Sequence, residues 1–203
     1  MLEMKLQKPG DSVPKLSLSL KKESIFNIEL SWDSTADVDA HALLARNNGD
    51  GAKVNTFDQI LSTYNCKSTN PAGTLVSNSD GSFSTPCGSL THGGDSRDGT
   101  TQDVDETILI DGSKIKNGEN EILVFVTIHA PHGKKFSEVK EAKITIKDDA
   151  GTVLCEYMLS SEFASFDAVQ MGSIILTEDS TFQFHPVGVG FNGDFNRILS
   201  TFS

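Results

Sequence analysis

WDSTADVDA at 32–40 and HGGDSRDGTTQDVDE at 92–106 concentrate carboxylates at spacings that suit a cation. The first stretch supplies Asp33, Asp37 and Asp39. The second supplies Asp95, Asp98, Asp103, Asp105 and Glu106. Asp37 with Asp39, and Asp103 with Asp105, are spaced i, i+2. On extended backbone that spacing sets both side chains on one face. A hard cation such as calcium takes about six to eight oxygens at roughly 2.3–2.6 Å, from carboxylates, carbonyls and water. Gly93, Gly94 and Gly99 let the backbone of the second stretch curl and offer carbonyls. The alternative is a solvated acidic loop, partly neutralised by Arg97.

An EF-hand does not fit. Asp95 and Glu106 have the separation of its first and twelfth loop positions, but Arg97 and Thr100 stand at its third and sixth, and no helical pattern flanks the loop. Any site must therefore be built by loops at a sheet edge.

Other motifs carry less. Gly188, Gly190 and Gly193 satisfy G-x-G-x-x-G, but a dinucleotide site needs a βαβ unit and an acidic residue about twenty positions on, and the chain ends ten residues after Gly193. A tight turn feeding a last helix is the expected role. His129 with His132, and Cys87 ahead of His92, do not have the spacings of a zinc finger. No nucleophile elbow or Cys–His pair is visible, so the chain reads as non-enzymatic. A metal-dependent hydrolase is the remaining enzymatic alternative, and it would need an open coordination position and a general base in a cleft.

The bulk numbers bound the rest. The chain has 203 residues, 37% hydrophobic and 22% charged, an ordinary globular composition. A net charge of −11 excludes a phosphate-backbone binder and permits cations or basic partners. Three cysteines cannot all pair within one chain, and reduced thiols are favoured over a Cys66–Cys87 disulfide. No apolar run approaches a membrane span, and MLEMKLQKPGDSV lacks the apolar core of a signal peptide. The expectation is a cytoplasmic protein without direct membrane insertion.

The elements that must position these carboxylates are strands. Leu16, Leu18 and Leu20 alternate with polar residues, as do Phe26, Ile28, Leu30 and Trp32. Similar runs lie at 142–148, 151–159, 168–176 and 180–189. Trp32 falls on an apolar face and reads as core. Residues 122–126 are continuously apolar, which predicts a central strand covered on both faces. Asn48-Gly49-Asp50-Gly51, Asp80-Gly81, Asn117-Gly118 and Asp149-Ala150-Gly151 supply turn chemistry. Helix candidates are a turn at 136–140 and a segment at 194–202 capped by Asp194. The sum is an all-β, two-sheet sandwich with few short helices, one at the C-terminus. It forms a single domain over 1–203, with a Ser/Thr/Gly/Asn-rich inserted loop or hairpin at about 66–91.

These segments, in order, resemble the tellurium-resistance TerD-like family, of which the chain reads as a divergent member. LSWDSTADVDAHALL at 30–44 is similar to the family's Trp-Asp and Asp-x-Asp-Ala segment, and STYN at 62–65 to its Phe-Tyr-Asn. HGGDSRDGTTQDVDE resembles its Gly-Asp-Asn loop closing in Asp-Asp-Glu. Residues 122–148 and VGVGFNGDFNRIL at 187–199 resemble its later strands. The resemblance spans about residues 15–200 and implies a calcium-binding β-sandwich tied to tellurite and other chemical stress, phage resistance and colicin tolerance. It places Asp33 on the Asp of Trp-Asp, Asp37 and Asp39 on Asp-x-Asp, Asp95 on the Asp of Gly-Asp-Asn, and Asp105 with Glu106 on the closing acids. Departures are Ser96 for Asn, Thr101 for a loop Gly, His41 for Ser and Val104 for an Asp, which Asp103 replaces by a one-residue shift. The segment between Cys66 and Cys87 has no counterpart in the pattern. The implied assignment is one or two Ca2+ ions held by Asp33, Asp37, Asp39, Asp95, Asp103, Asp105 and Glu106. Expected partners are other stress-system or membrane-associated proteins, or further copies of the chain, and no nucleic acid. The alternative function is a structural or assembly protein on the same sandwich, such as a phage virion component.

Overall fold

The computed structural model describes residues 16–97, 99–100, 104–116, 118–129, 133–159, 161, 163–193 and 195–203, Tyr157 by its backbone alone. The predictions placed on Asp98, Asp103, His132, Asn117 and the Asp194 cap lie outside the described residues.

Fourteen strands follow one another among the described residues. They are β1 (Leu16–Lys21), β2 (Ile25–Asp33), β3 (Val38–Asn47), β4 (Ala52–Lys53), β5 (Ile60–Leu61), β6 (Val76–Ser77), β7 (Phe83–Ser84), β8 (Leu90–His92), β9 (Glu106–Asp111), β10 (Glu121–Ile128), β11 (Lys140–Asp148), β12 (Val153–Met158), β13 (Ala168–Leu176) and β14 (Thr181–Phe191). A short helix, α1 (Phe195–Leu199), closes the chain. One sheet runs β1-β14-β13-β10-β3-β4, with β5 also on β3, and the other runs β12-β11-β2-β9-β8-β7-β6. The all-β, two-sheet expectation holds.

Side-chain alternation builds the space between the sheets. Phe26, Ile28, Leu30 and Trp32 on β2 meet Ile108 and Ile110 on β9 and Ile144 and Ile146 on β11. From the other sheet Ala40, Ala42 and Leu44 of β3, Val124 and Val126 of β10, and Phe182 and Phe184 of β14 point into the same core. Each such large apolar side chain stabilises the fold by about 1.5–3 kcal/mol. Trp32 is core, as its pattern implied.

Every residue of β10 is buried. The reason is a second apolar layer on the outer face of its sheet, where Leu43, Leu123, Phe125 and Ala168 pack under Phe195 and Ile198 of α1. That layer also buries the first eight residues of β3 and the first seven of β13, so neither keeps a solvent face.

The turns behave as their residues require. Gly49 and Gly51 take φ of 101° and 97° between β3 and β4. The Asp80-Gly81 turn joins β6 to β7, and this hairpin with β8 extends the second sheet, so 66–91 includes paired strands. The helical turn expected at 136–140 is one 3-10 turn, Phe136–Glu138, because β11 begins at Lys140. The C-terminal helix is shorter than 194–202. Gly188 and Gly190 are not in a turn: both lie within β14, and only Gly193 falls in the connection to α1. All three cysteines are free thiols, Cys66 and Cys155 buried and Cys87 exposed.

Candidate functional site

The two acidic stretches meet at one end of the sandwich. Asp33 ends β2 and Val38 begins β3, so residues 34–37 form the crossing between sheets. The described part of the connection from β8 back to β9, including Asp95, Gly99 and Asp105, lies beside them. Backbone hydrogen bonds lace the two together: Gly99 N–H donates to Ser34 O at 3.1 Å, and Asp105 N–H to Leu30 O at 3.0 Å.

Two of the acids act as staples. Asp105 Oδ2 accepts from the Trp32 backbone N–H at 3.0 Å. Glu106 Oε2 accepts from Ala40 N–H at 2.6 Å, and its Oε1 from Ser96 N–H at 3.4 Å. Glu106 is buried, with His92 Nε2 3.4 Å from its Oε2 and the His92 ring stacked on Phe83. Burial raises the Glu106 carboxyl above the usual range, against the pull of His92 and the two amides. This pair therefore ties β9 and β8 to β3 across the sheets.

Three other acids converge. One ligand oxygen from each of Asp37, Asp39 and Asp95 lies within 4.8 Å of the others. Asp39 is the buried member, 2% exposed, and Asp95 is exposed, with Arg97 Nε 3.3 Å away. β3 pairs Asp39 with Thr127 of β10, and His129 N–H donates to Asp37 O at 2.8 Å, which fixes the entry into β3. Asp39 Oδ1 accepts from Thr63 Oγ1 at 3.2 Å. Among the described residues no hydrogen-bond donor reaches Asp39 Oδ2, although it is buried. Burial, then the charges of Glu106, Asp37 and Asp95, push the Asp39 carboxyl up to about 8, against the Thr63 hydrogen bond.

Asp33 is exposed at the end of β2, opposite Lys140 in the register, and lies outside this trio, as do Asp105 and Glu106. Sequence reasoning did not single out Thr63, Tyr64 or the role of His129. Tyr64 Oη lies 3.0 Å from His129 Nδ1, and the rings stack with centroids 5.9 Å apart. His129 Nδ1 is 3.8 Å from Asp39 Oδ2. The only sequence signal was STYN, which the resemblance marked without a role. His41 sits deeper, its Nε2 against Thr127 Oγ1 at 2.9 Å and its ring 4.3 Å from that of Phe195. Burial lowers its pKa to about 3, so it is neutral.

An antiparallel sandwich that gathers buried and exposed carboxylates at one end, from the β2–β3 crossing between sheets and the β8–β9 connection within one sheet, defines the class. The chain belongs to the TerD domain family, whose model matches residues 3–202. It is 26% identical over 212 residues to a tellurium resistance protein TerD from Alcaligenes, covering 99% of this chain and 97% of that protein. It is 28% identical over 118 residues to chemical-damaging agent resistance protein B of Clostridium acetobutylicum, covering 57% of this chain and 84% of that protein. The crystal structure of a TerD homologue from Streptomyces coelicolor superposes with a TM-score of 0.66 at 15% identity, over 87% of this chain and 95% of that one, which shows the shared fold. No helix among the described residues is long and apolar enough to cross a membrane.

Proposed function

We propose that this chain is a calcium-binding, non-enzymatic domain of a tellurite or chemical-stress resistance system. The resistance role is carried over from the relatives named for it. The ion site rests on one observation: a buried Asp39 oxygen with no hydrogen-bond donor among the described residues, beside the Asp37 and Asp95 carboxylates. A buried charge without a partner is costly, so the carboxyl either holds its proton or faces a cation. The donor set fits calcium. The oxygens are hard, and their mutual spacing within 4.8 Å matches ligands about 2.3–2.6 Å from a shared centre. Asp39, fixed by β3 pairing, and Asp37, whose backbone carbonyl accepts from His129 N–H, supply one wall. Asp95 supplies the other, on an exposed loop held by Gly99 and Glu106.

Calorimetric titration with Ca2+ tests the site. Wild type should bind, and Asp39→Asn and Asp95→Ala should each lose at least tenfold in affinity, as is typical for loss of a metal-supporting group, about 10–100-fold. Equal binding by all three proteins would refute the assignment. Restored tellurite tolerance in a deletion strain by wild type, and not by Asp39→Asn, would tie the site to the resistance role.

A further inference from the structure

We infer that the β6–β7 hairpin buttresses the cation site, with Phe83, His92 and Glu106 as positioning residues that hold Asp95 against Asp39. This rests on the calcium site proposed above. Strand pairing brings the three side chains together. β7 pairs Phe83 directly with His92 of β8, and β8 pairs His92 with Ile108 of β9. Glu106 stands two residues from Ile108, so it shares the inward face of β9. All three side chains are buried there. The Phe83 and His92 rings stack with centroids 4.6 Å apart and planes 7° apart, and His92 Nε2 lies 3.4 Å from Glu106 Oε2.

The far end of this run of contacts brackets Asp95. His92 Nδ1 accepts from the Gly94 N–H at 3.2 Å, and Glu106 Oε1 accepts from the Ser96 N–H at 3.4 Å. The amides on either side of Asp95 are thus both held by this pair. With Nδ1 accepting, Nε2 carries the ring's hydrogen and faces Glu106. Glu106 Oε2 in turn accepts from the Ala40 N–H at 2.6 Å, and Ala40 follows Asp39 in sequence. One carboxylate therefore spans the amide after Asp39 and the amide after Asp95, which sets the separation of the two walls. Glu106 does this without being a ligand. Its two oxygens are turned to backbone amides, and the ligand atoms that converge are those of Asp37, Asp39 and Asp95.

The test is titration of the full chain with Ca2+ by calorimetry and with Tb3+, whose third charge keeps weakened sites measurable, by luminescence. Glu106→Gln, His92→Phe and Phe83→Leu are each compared alone and combined with Asp95→Ala. Glu106→Gln leaves one acceptor for two amides. His92→Phe keeps a ring against Phe83 but loses both nitrogens. Phe83→Leu keeps an apolar side chain and loses the flat ring. The first two should each lower affinity about tenfold or more, and the third about threefold to fivefold, as supports of metal ligands do. In the Asp95→Ala background each should change affinity by less than about twofold, because the residue they position is gone. Melts in chelator report folding, and if one variant does not melt cooperatively the other two carry the test. Equal losses in both backgrounds would show that the three act through the fold as a whole. Unchanged affinity in His92→Phe and Phe83→Leu would leave Glu106 acting without the hairpin. Either result overturns the buttress while the calcium site stands. If wild type binds neither ion, both readings fall together.

Discussion

Asp39 is the residue on which the site turns. Its folded pKa of about 8 stands above the ordinary 3.8, so the ion-free folded state holds a proton that the unfolded chain releases. The associated stability is fully present below about pH 4 and is lost as pH rises toward 8. Ion-free protein should therefore melt higher at pH 5.5 than at pH 8, and Asp39→Asn should flatten that slope. At pH 8 the substitution should raise the ion-free melting temperature, by about 2–4 °C for each kcal/mol relieved. A thermal melt in chelator at both pH values decides it, and an unchanged slope would show that Asp39 is not the buried acid responsible. In the proposed calcium site a bound cation would replace the proton, so the same substitution should destabilise the protein in saturating calcium. At 100 times its dissociation constant a ligand contributes about 2.7 kcal/mol. That corresponds to roughly 5–11 °C between calcium and chelator for a chain of this size.

Elements carry the next level. The loop after β8 is seated by Gly99: a Cβ there would lie 2.2 Å from Trp32 Nε1, which donates to Ala36 O at 2.9 Å. Gly99→Ala must therefore push the loop off the indole or break that bond, and it should lower Ca2+ affinity more than it lowers stability. Calorimetry beside a chelator melt separates the two effects, and a change in stability alone would argue against loop seating. This role was legible only in part. Glycines around Asp95 read as freedom for a curled backbone, whereas the requirement at Gly99 is room for a tryptophan sixty-seven positions away in sequence. The same pattern holds for strands. β2, with one face in the core, showed its alternation directly. β3 and β9, which carry Asp39 and Glu106, were read as acidic motifs rather than strands. In β3 the cause is burial on both faces, which erases period-two patterning. β10 showed its continuous apolar run, but nothing local announced that α1 supplies its outer cover. The candidate site divides likewise: Asp37 and Asp39 stand out by their i, i+2 spacing and Asp95 by its acidic run, while Thr63, Tyr64 and His129 arrive through pairing of β3 with β5 and β10.

At the scale of the whole molecule, a net charge of −11 is spread over a sandwich whose acidic loops converge at one end. Self-repulsion of that kind opposes compaction and is screened by salt, with a Debye length near 10 Å at 0.1 M and about 3 Å at 1 M. In the ion-free protein the Asp37–Asp39–Asp95 group adds short-range repulsion to this field, as the mutual effect of those charges on Asp39 indicates. Cation binding would remove the local part and leave the diffuse part. Raising NaCl from 20 to 300 mM should therefore increase the melting temperature of ion-free protein more than that of calcium-loaded protein. Ile198→Ala provides the contrast. It empties a site in the outer apolar layer under α1, remote in character from the charges, and should cost about 2–5 kcal/mol. Its penalty should be the same at both salt concentrations and in both ion states, because packing loss is not screened. If the salt response instead survives calcium unchanged, the repulsion belongs to the surface as a whole, and the acidic end is not the place where the fold is held under electrostatic load.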